Sequence, residues 1–279
     1  MTNMPPQPPV YFERLIDAWE SGRAGQCAHL GHWEFPPEPD DADSGSEDFR
    51  IAQQRLDDVM IEMAGIRSGQ SILDVGCGFG GLIDCIDSQF TEMNLTGVNI
   101  DARQLDICQR LRSKSQNSIR WQEADACELP FADNTFDRVF CVEAIFHFAS
   151  RRTFFAEVLR VLKPAGRFSA SDITLTESPT TVATPRFMIQ ALLNDGYGPW
   201  PDPWAENGTV EAICQELGFT GIKLMDATQN TLPVYDYIVP KKFTEQCDPG
   251  DVAARSAMLL RWLHRNGGLK YEYLSGVKS

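Results

Sequence analysis

The chain has 279 residues, 43% of them hydrophobic, with 39 acidic against 25 basic side chains and a formal net charge of -14. That length holds one large domain with a sizeable core, and the negative charge repels nucleic-acid phosphates and anionic membrane surfaces. Eight cysteines without a Cys-x-x-Cys pair fit a reduced, cytoplasmic protein. The opening residues, Met1 to Val10, lack a basic-then-apolar pattern, and no later run reaches the roughly 18 apolar residues of a membrane span.

Taken in chain order, Tyr11 to Glu20 reads as a short helix, Pro36 to Asp48 as an exposed loop rich in Pro, Asp, Glu and Ser, and Phe49 to Ala64 as a lead-in helix. From Ser71 onward short apolar runs alternate with helical segments. The expected strands are Ser71-Val75, Asn94-Ile100, Ile119-Glu123, Phe136-Val142 and Arg167-Ile173; the expected helices lie near Leu82-Phe90, Ala102-Ser113 and Thr153-Leu162. Such alternation predicts an α/β fold, a doubly wound, mostly parallel sheet with helices on both faces and a ligand crevice at the strands' carboxyl ends.

The pattern breaks between Thr174 and Thr209, where five prolines and two tryptophans, Trp200 and Trp204, suggest a lid inserted into the sheet domain. A helix near Val210-Leu217, a strand near Ile222-Asp226, a helical region near Val234-Trp262 and a strand near Leu269-Gly276 complete the sheet. The expected organisation is thus a cap and lead-in helix over residues 1–64 and a main domain over 65–279. Arg151-Arg152 reads as a solvated helix start.

The sharpest motif is Leu73-Asp-Val-Gly-Cys-Gly-Phe-Gly-Gly81, between a predicted strand and a predicted helix. Glycines there permit a tight turn and clear the backbone for a nucleoside-containing cofactor. Alone it is ambiguous, because Gly76, Gly78 and Gly81 also satisfy the Gly-x-Gly-x-x-Gly dinucleotide pattern. No clear catalytic Tyr-x-x-x-Lys arrangement follows to support hydride transfer.

In context, the loop resembles the first motif of the class I S-adenosylmethionine-dependent methyltransferases, in the small-molecule branch that includes sugar, tocopherol, sarcosine and sterol enzymes. Gly97-Val-Asn-Ile-Asp-Ala-Arg-Gln104, Glu123-Ala-Asp-Ala126 with Leu129-Pro-Phe, and Arg160-Val-Leu-Lys-Pro-Ala-Gly166 are similar to its later motifs. Asn99 stands where the ribose-binding acid is usual, and Ala165 where glycine is commoner. His29-Leu-Gly-His-Trp-Glu34 resembles the family's His-x-Gly-Tyr-Trp segment, with His32 replacing tyrosine.

The resemblance implies a seven-stranded sheet, S-adenosylmethionine as cofactor and a small-molecule acceptor. It places Asp74, Gly76, Cys77, Gly78, Gly80, Asn99, Ile100, Gln104, Asp125, Ala126 and Glu143 at the cofactor, and Tyr11, His32, Trp33 and Phe146 at the acceptor; Trp200 and Trp204 join the acceptor set from their place in the Pro-rich segment, where specificity tends to reside. His147, after the fourth strand, is the expected general base, since an ordinary histidine pKa of about 6.5 suits proton removal near neutrality. Oxygen is the expected acceptor atom; transfer to nitrogen or to carbon, as in prenyl diphosphate methylation, is the alternative, with a nicotinamide oxidoreductase or a non-catalytic cofactor-binding protein behind it. The histidines lack compact ligand spacing, so no metal is expected, and a homo-oligomer stays open.

Overall fold

The computed structural model describes residues 8–9, 11–34, 47–178, 184–239 and 252–279. In chain order it holds α1 (Tyr11–Glu20), α2 (Glu47–Ala64), β1 (Ser71–Val75), α3 (Gly81–Gln89), β2 (Asn94–Asn99), α4 (Ala102–Cys108), β3 (Ser118–Glu123), β4 (Phe136–Cys141) and α5 (Arg151–Val161). There follow β5 (Leu162–Leu175), α6 (Arg186–Tyr197), α7 (Val210–Leu217), β6 (Phe219–Asp226), α8 (Val252–Arg265) and β7 (Leu269–Lys278).

The strands form one sheet in the order β3-β2-β1-β4-β5-β7-β6. Strands β1 to β5 pair in parallel, and β7 runs antiparallel to both β5 and β6. The central strands are apolar on both faces because helices cover both. Ile72, Leu73, Val75, Val139, Phe140 and Cys141 are all buried, as continuous apolar runs in a parallel sheet require. One side packs under α2 and α3 through Leu56, Met60, Ile83 and Ile86. The other packs under α5 and α7 through Phe154, Phe155, Val158 and Ile213. Strand order reverses beside β1, between β2 and β4, so the crevice of a doubly wound sheet opens at the end of β1.

Four expectations need correction. The helix after β2 stops at Cys108 rather than Ser113. There the buried Asp87 carboxylate draws the chain into a loop, accepting hydrogen bonds from Ser113 Oγ at 2.8 Å, Lys114 N at 2.6 Å and Asn117 Nδ2 at 2.9 Å. Glu47 and Asp48, read as loop, form the acidic first turn of α2, where carboxylates favour the helix N-terminus; residues 36–46 of that loop lie outside the described residues. The tail helical region divides into a short turn at Tyr235–Ile238 and α8, with 240–251 outside the described residues. Arg151 is buried rather than solvated, its Nε 2.6 Å from Asp172 Oδ2 and its Nη1 2.6 Å from the Asp202 carbonyl oxygen.

Ala165 occupies a left-handed position, φ 60°, in the turn that opens β5. Glycine adopts that conformation without strain and alanine does not. The rare residue at this turn is thus held in a strained backbone by the sheet around it.

Beyond the sheet, α6 packs along α8. Gly196 lets the two helices close: a Cβ there would lie 1.8 Å from Ser256 Oγ. That hydroxyl donates to the Leu192 carbonyl at 2.7 Å. The helix pair and α1 stand over the carboxyl ends of the central strands.

Candidate active site

The loop after β1 is built by positive φ angles at Gly76 (75°), Gly78 (53°) and Gly80 (84°). Gly76 N and Cys77 N both donate to the Val98 carbonyl, at 2.9 and 3.0 Å, which pins the loop to the end of β2. A Cβ on Gly76 would lie 2.5 Å from Ala144 Cβ. Glycine is therefore demanded twice at that position, by φ and by space.

A cavity of about 750 Å³ opens above this loop. It gathers Tyr11, Asp74, Gly76, Cys77, Gly78, Asn99, Ile100, Gln104, Asp125, Ala126, Glu143, Phe146, His147 and Trp200, all expected from the sequence. Four expected residues do not line it. Gly80 faces Trp121 and Leu111, and His32 bonds to Tyr273 Oη at 3.0 Å. Trp33 stacks between Phe49 and Tyr237, while Trp204 lies beneath the Arg186 guanidinium, 4.9 Å from its ring.

At the β2 end, Asn99 Nδ2 donates to Gln104 Oε1 at 2.9 Å, and Asn99 Oδ1 accepts from Asp101 N at 3.1 Å. Gln104 is 2% exposed and its Nε2 has no hydrogen-bond partner. A buried amide donor without a partner costs about 1–3 kcal/mol, so a ligand with acceptor oxygens is the expected company. Asp125 turns one oxygen to its own backbone, accepting from Cys127 N at 2.8 Å.

Two acids sit deeper. Burial pushes Asp74 up to about 8, with Asp57 adding to the rise and His29 opposing it. Glu143, in a strained backbone at φ 52°, accepts from Leu30 N at 2.8 Å and from Tyr271 Oη at 2.7 Å. Burial raises its pKa as well, against the pull of His29 and these donors. A cationic ligand beside the cavity stabilises both groups as carboxylates, against the burial that raises them.

On the apolar side, Phe146 and Trp200 lie 4.6 Å apart between ring centres. His147, ending a 3-10 turn over Ile145–His147, is held at both nitrogens. Nδ1 is 2.9 Å from the Pro199 carbonyl oxygen and Nε2 is 3.1 Å from Tyr11 Oη. A carbonyl oxygen only accepts, so Nδ1 carries the proton and the Nε2 lone pair receives the Tyr11 hydroxyl. Burial lowers the ring to about 4, so it is neutral at physiological pH.

Sequence reasoning missed the group behind the cofactor loop. Cys27 Sγ, His29 Nε2 and the fully buried Asp57 carboxylate meet there. Its only trace is His29 in the His-x-Gly-x-Trp segment and an acid inside the apolar face of α2. Tyr197, which also lines the cavity, was read as part of the lid without a role.

A strand-end glycine loop, an unpartnered buried amide, two buried acids and an apolar chamber fit the parts of S-adenosylmethionine and an acceptor beside it. The seven-stranded sheet order is that of the class I methyltransferase fold. Residues 73–170 match the family described as methyltransferase domain. The chain is 27% identical to the O-methyltransferase resE of Aspergillus sclerotiorum over 80% of both chains. It is 26% identical to the erythromycin 3''-O-methyltransferase of Saccharopolyspora erythraea over 94% of this chain and 84% of that one. Among solved structures, the geranyl diphosphate C-methyltransferase of Streptomyces coelicolor shares the fold with a TM-score of 0.70, 16% identity and 99% of each chain covered. The [4+2]-cyclase SpnF shares it at 0.68, with 20% identity and 96% and 93% covered. The protein is an S-adenosylmethionine-dependent methyltransferase.

Proposed function

We propose that this methyltransferase acts on the oxygen of a small, largely apolar metabolite or natural product, with His147 as the general base. The observation that carries the reading is the neutral His147 ring, fixed by Pro199 and Tyr11 at the wall of the cavity. The O-methyltransferases among its relatives support it. Apolar acceptors suit a chamber walled by Phe146, Trp200, Tyr235 and Leu260.

Bound along Asp74 to Gly78, Asn99, Ile100, Gln104, Asp125, Ala126 and Glu143, S-adenosylmethionine supplies a methyl group on a cationic sulfur and leaves as a neutral thioether. The chain's own part is mostly positional. Displacement at carbon needs the acceptor oxygen about 3–3.5 Å from the methyl carbon and in line with the bond that breaks. Phe146 and Trp200 hold the acceptor's body, and α1 with α6 close the chamber against water.

A base lowered to about 4 cannot strip a free alcohol, and it need not. The hydroxyl proton becomes strongly acidic as its oxygen bonds to the methyl carbon; it passes to Tyr11 Oη while the Tyr11 proton moves to the Nε2 lone pair that already accepts it. The cap over 1–64 and the lid over 174–209 are the segments we assign to acceptor choice. Among the described residues no helix is long and apolar enough to cross a membrane, and the seven described cysteines are all free thiols. A reducing, cytoplasmic setting matches those thiols.

The test is incubation with methyl-labelled S-adenosylmethionine against three acceptor panels: apolar alcohols and phenols, amines, and prenyl diphosphates with magnesium. Label in the first panel alone, lost in His147→Asn, is the expected result. Label only in amines, or only in prenyl diphosphates, overturns the oxygen assignment.

A further inference from the structure

Cys27, His29 and Asp57 form a cluster outside the residues assigned above. His29 Nε2 lies 3.1 Å from Asp57 Oδ1, and Cys27 Sγ donates to Oδ2 at 3.4 Å. Asp57 is 0% exposed, and among the described residues His29 is the one cationic group paired with it. Buried carboxylates are held ionised by a paired countercharge. The ring therefore sits as an imidazolium, with Nε2–H given to Asp57. Its titration agrees: burial alone would lower His29, yet Asp57 holds it well above the usual histidine range.

An imidazolium has a second donor. His29 Nδ1 is buried and makes no hydrogen bond, while the residue lines the cofactor cavity. The ring cannot swing away to satisfy it, because the segment is tied on both sides. Gln53 Nε2 donates to the Cys27 and His29 carbonyls at 2.9 and 3.0 Å, and Leu30 N donates to Glu143. The cluster also abuts the start of α3, where Cys27 Sγ lies 2.7 Å from the place a Gly81 Cβ would occupy. An unpaired cationic donor beside a helix N-terminus calls for an anionic group.

Resting on the cofactor assignment, we infer that His29 binds the carboxylate of the cofactor's amino-acid end through Nδ1–H, with Asp57 as the positioning residue that fixes the ring. Asp74 and Glu143, being acids, suit the ammonium and the sulfonium instead. S-adenosylmethionine thus lies with its anionic end towards the cap segment 27–30.

The test is calorimetric titration with S-adenosylhomocysteine, with its decarboxylated analogue, which keeps the amine, and with 5′-methylthioadenosine, which lacks the whole amino-acid end. We expect His29→Asn to weaken S-adenosylhomocysteine at least tenfold and to leave the other two ligands unchanged, with Asp57→Asn showing the same selective loss more mildly. Equal loss for all three ligands marks a merely structural histidine and overturns the inference, as does no loss at all. Zinc that raises the melting temperature of the wild type but not of His29→Asn would show a metal cluster, which overturns it too. Wild type that binds none of the three refutes the cofactor assignment itself, a distinct failure. Ile51→Ser, at an exposed position of α2 that does not line the cavity, serves as the folded control and should bind all three ligands as the wild type does.

Discussion

Tyr11 Oη lies 3.1 Å from His147 Nε2, joining the first helix of the chain to the end of the fourth strand across 136 residues. The pair closes the cavity and occupies the very lone pair that the proposed base must use. Tyr11 and His147 therefore act as one unit, and substitutions within such a unit are not additive. His147→Asn should lower kcat by about 10²–10⁴, the usual span of general acid–base catalysis, and Tyr11→Phe by less. The double variant should fall no further than His147→Asn alone. Multiplication of the two losses in single-turnover measurements would separate their roles and refute the unit.

The same ring sets a pH dependence. His147 is lowered to about 4 in the fold, below its ordinary value near 6.5. Its proton is bound more readily in the unfolded chain, so the neutral ring's stability contribution is whole above about 6.5 and is lost as pH falls towards 4. Catalysis through the neutral ring should accordingly stay level from pH 8 to about 5, with no inflection at 6.5. A kcat profile that halves near 6.5, and loses that step in His147→Asn, would contradict the buried, neutral assignment.

Asp74 carries the opposite sign. Its pKa, raised to about 8 by burial, makes the free protein hold a neutral carboxyl at physiological pH. Against an unfolded value near 3.9, stability is full at acid pH and erodes as pH climbs through 8. A cationic cofactor favours the carboxylate, so binding at pH 7 should release a proton, seen as a buffer-dependent enthalpy in calorimetry. Asp74→Asn should bind S-adenosylmethionine at least tenfold more weakly, release no proton, and melt no lower than the wild type at pH 8.

Much of this architecture was legible in the sequence because its cues are local. The helix Tyr11–Glu20 and the helix Val210–Leu217 stand where their periodicity placed them, and the glycine loop sits at the strand end its motif predicted. Residues that act through distant partners were not legible. Asp87 ends α4 early only because α3 brings its carboxylate to Ser113. His32 in its motif and Trp204 in the Pro-rich segment look like site residues, yet Tyr273 and Arg186 claim them in space. His29 lacked a role until Asp57, 28 residues on, supplied its charge partner.

Arg151 shows how far such a partner changes a reading. It is 5% exposed, and its guanidinium meets Asp172 on β5 and the Asp202 carbonyl in the segment after α6. The ion pair thus ties α5 to the chain that also carries Pro199 and Trp200. Removing one partner of a buried pair leaves the other charge stranded, at a cost of about 3–5 kcal/mol. Arg151→Met should lower the melting temperature markedly, and Asp172→Asn in the same background should recover part of the loss. Equal melting temperatures for Arg151→Met and the wild type would show that the pair contributes nothing.

Gly76 offers the sharpest dissection of the cofactor loop. Alanine there meets two penalties: a φ of 75°, which L-residues avoid, and a Cβ placed 2.5 Å from Ala144 Cβ. The second is removable, because Ala144 projects the atom that clashes. Gly76→Ala should abolish measurable S-adenosylhomocysteine binding, while Gly76→Ala combined with Ala144→Gly should regain part of it. The φ strain, about 1 kcal/mol for a single alanine in the left-handed region, should remain as a several-fold deficit. Full recovery in the double variant would mean the loop needs only space; no recovery would mean that the backbone angle alone makes the turn, and with it the contact of Gly76 N and Cys77 N with Val98.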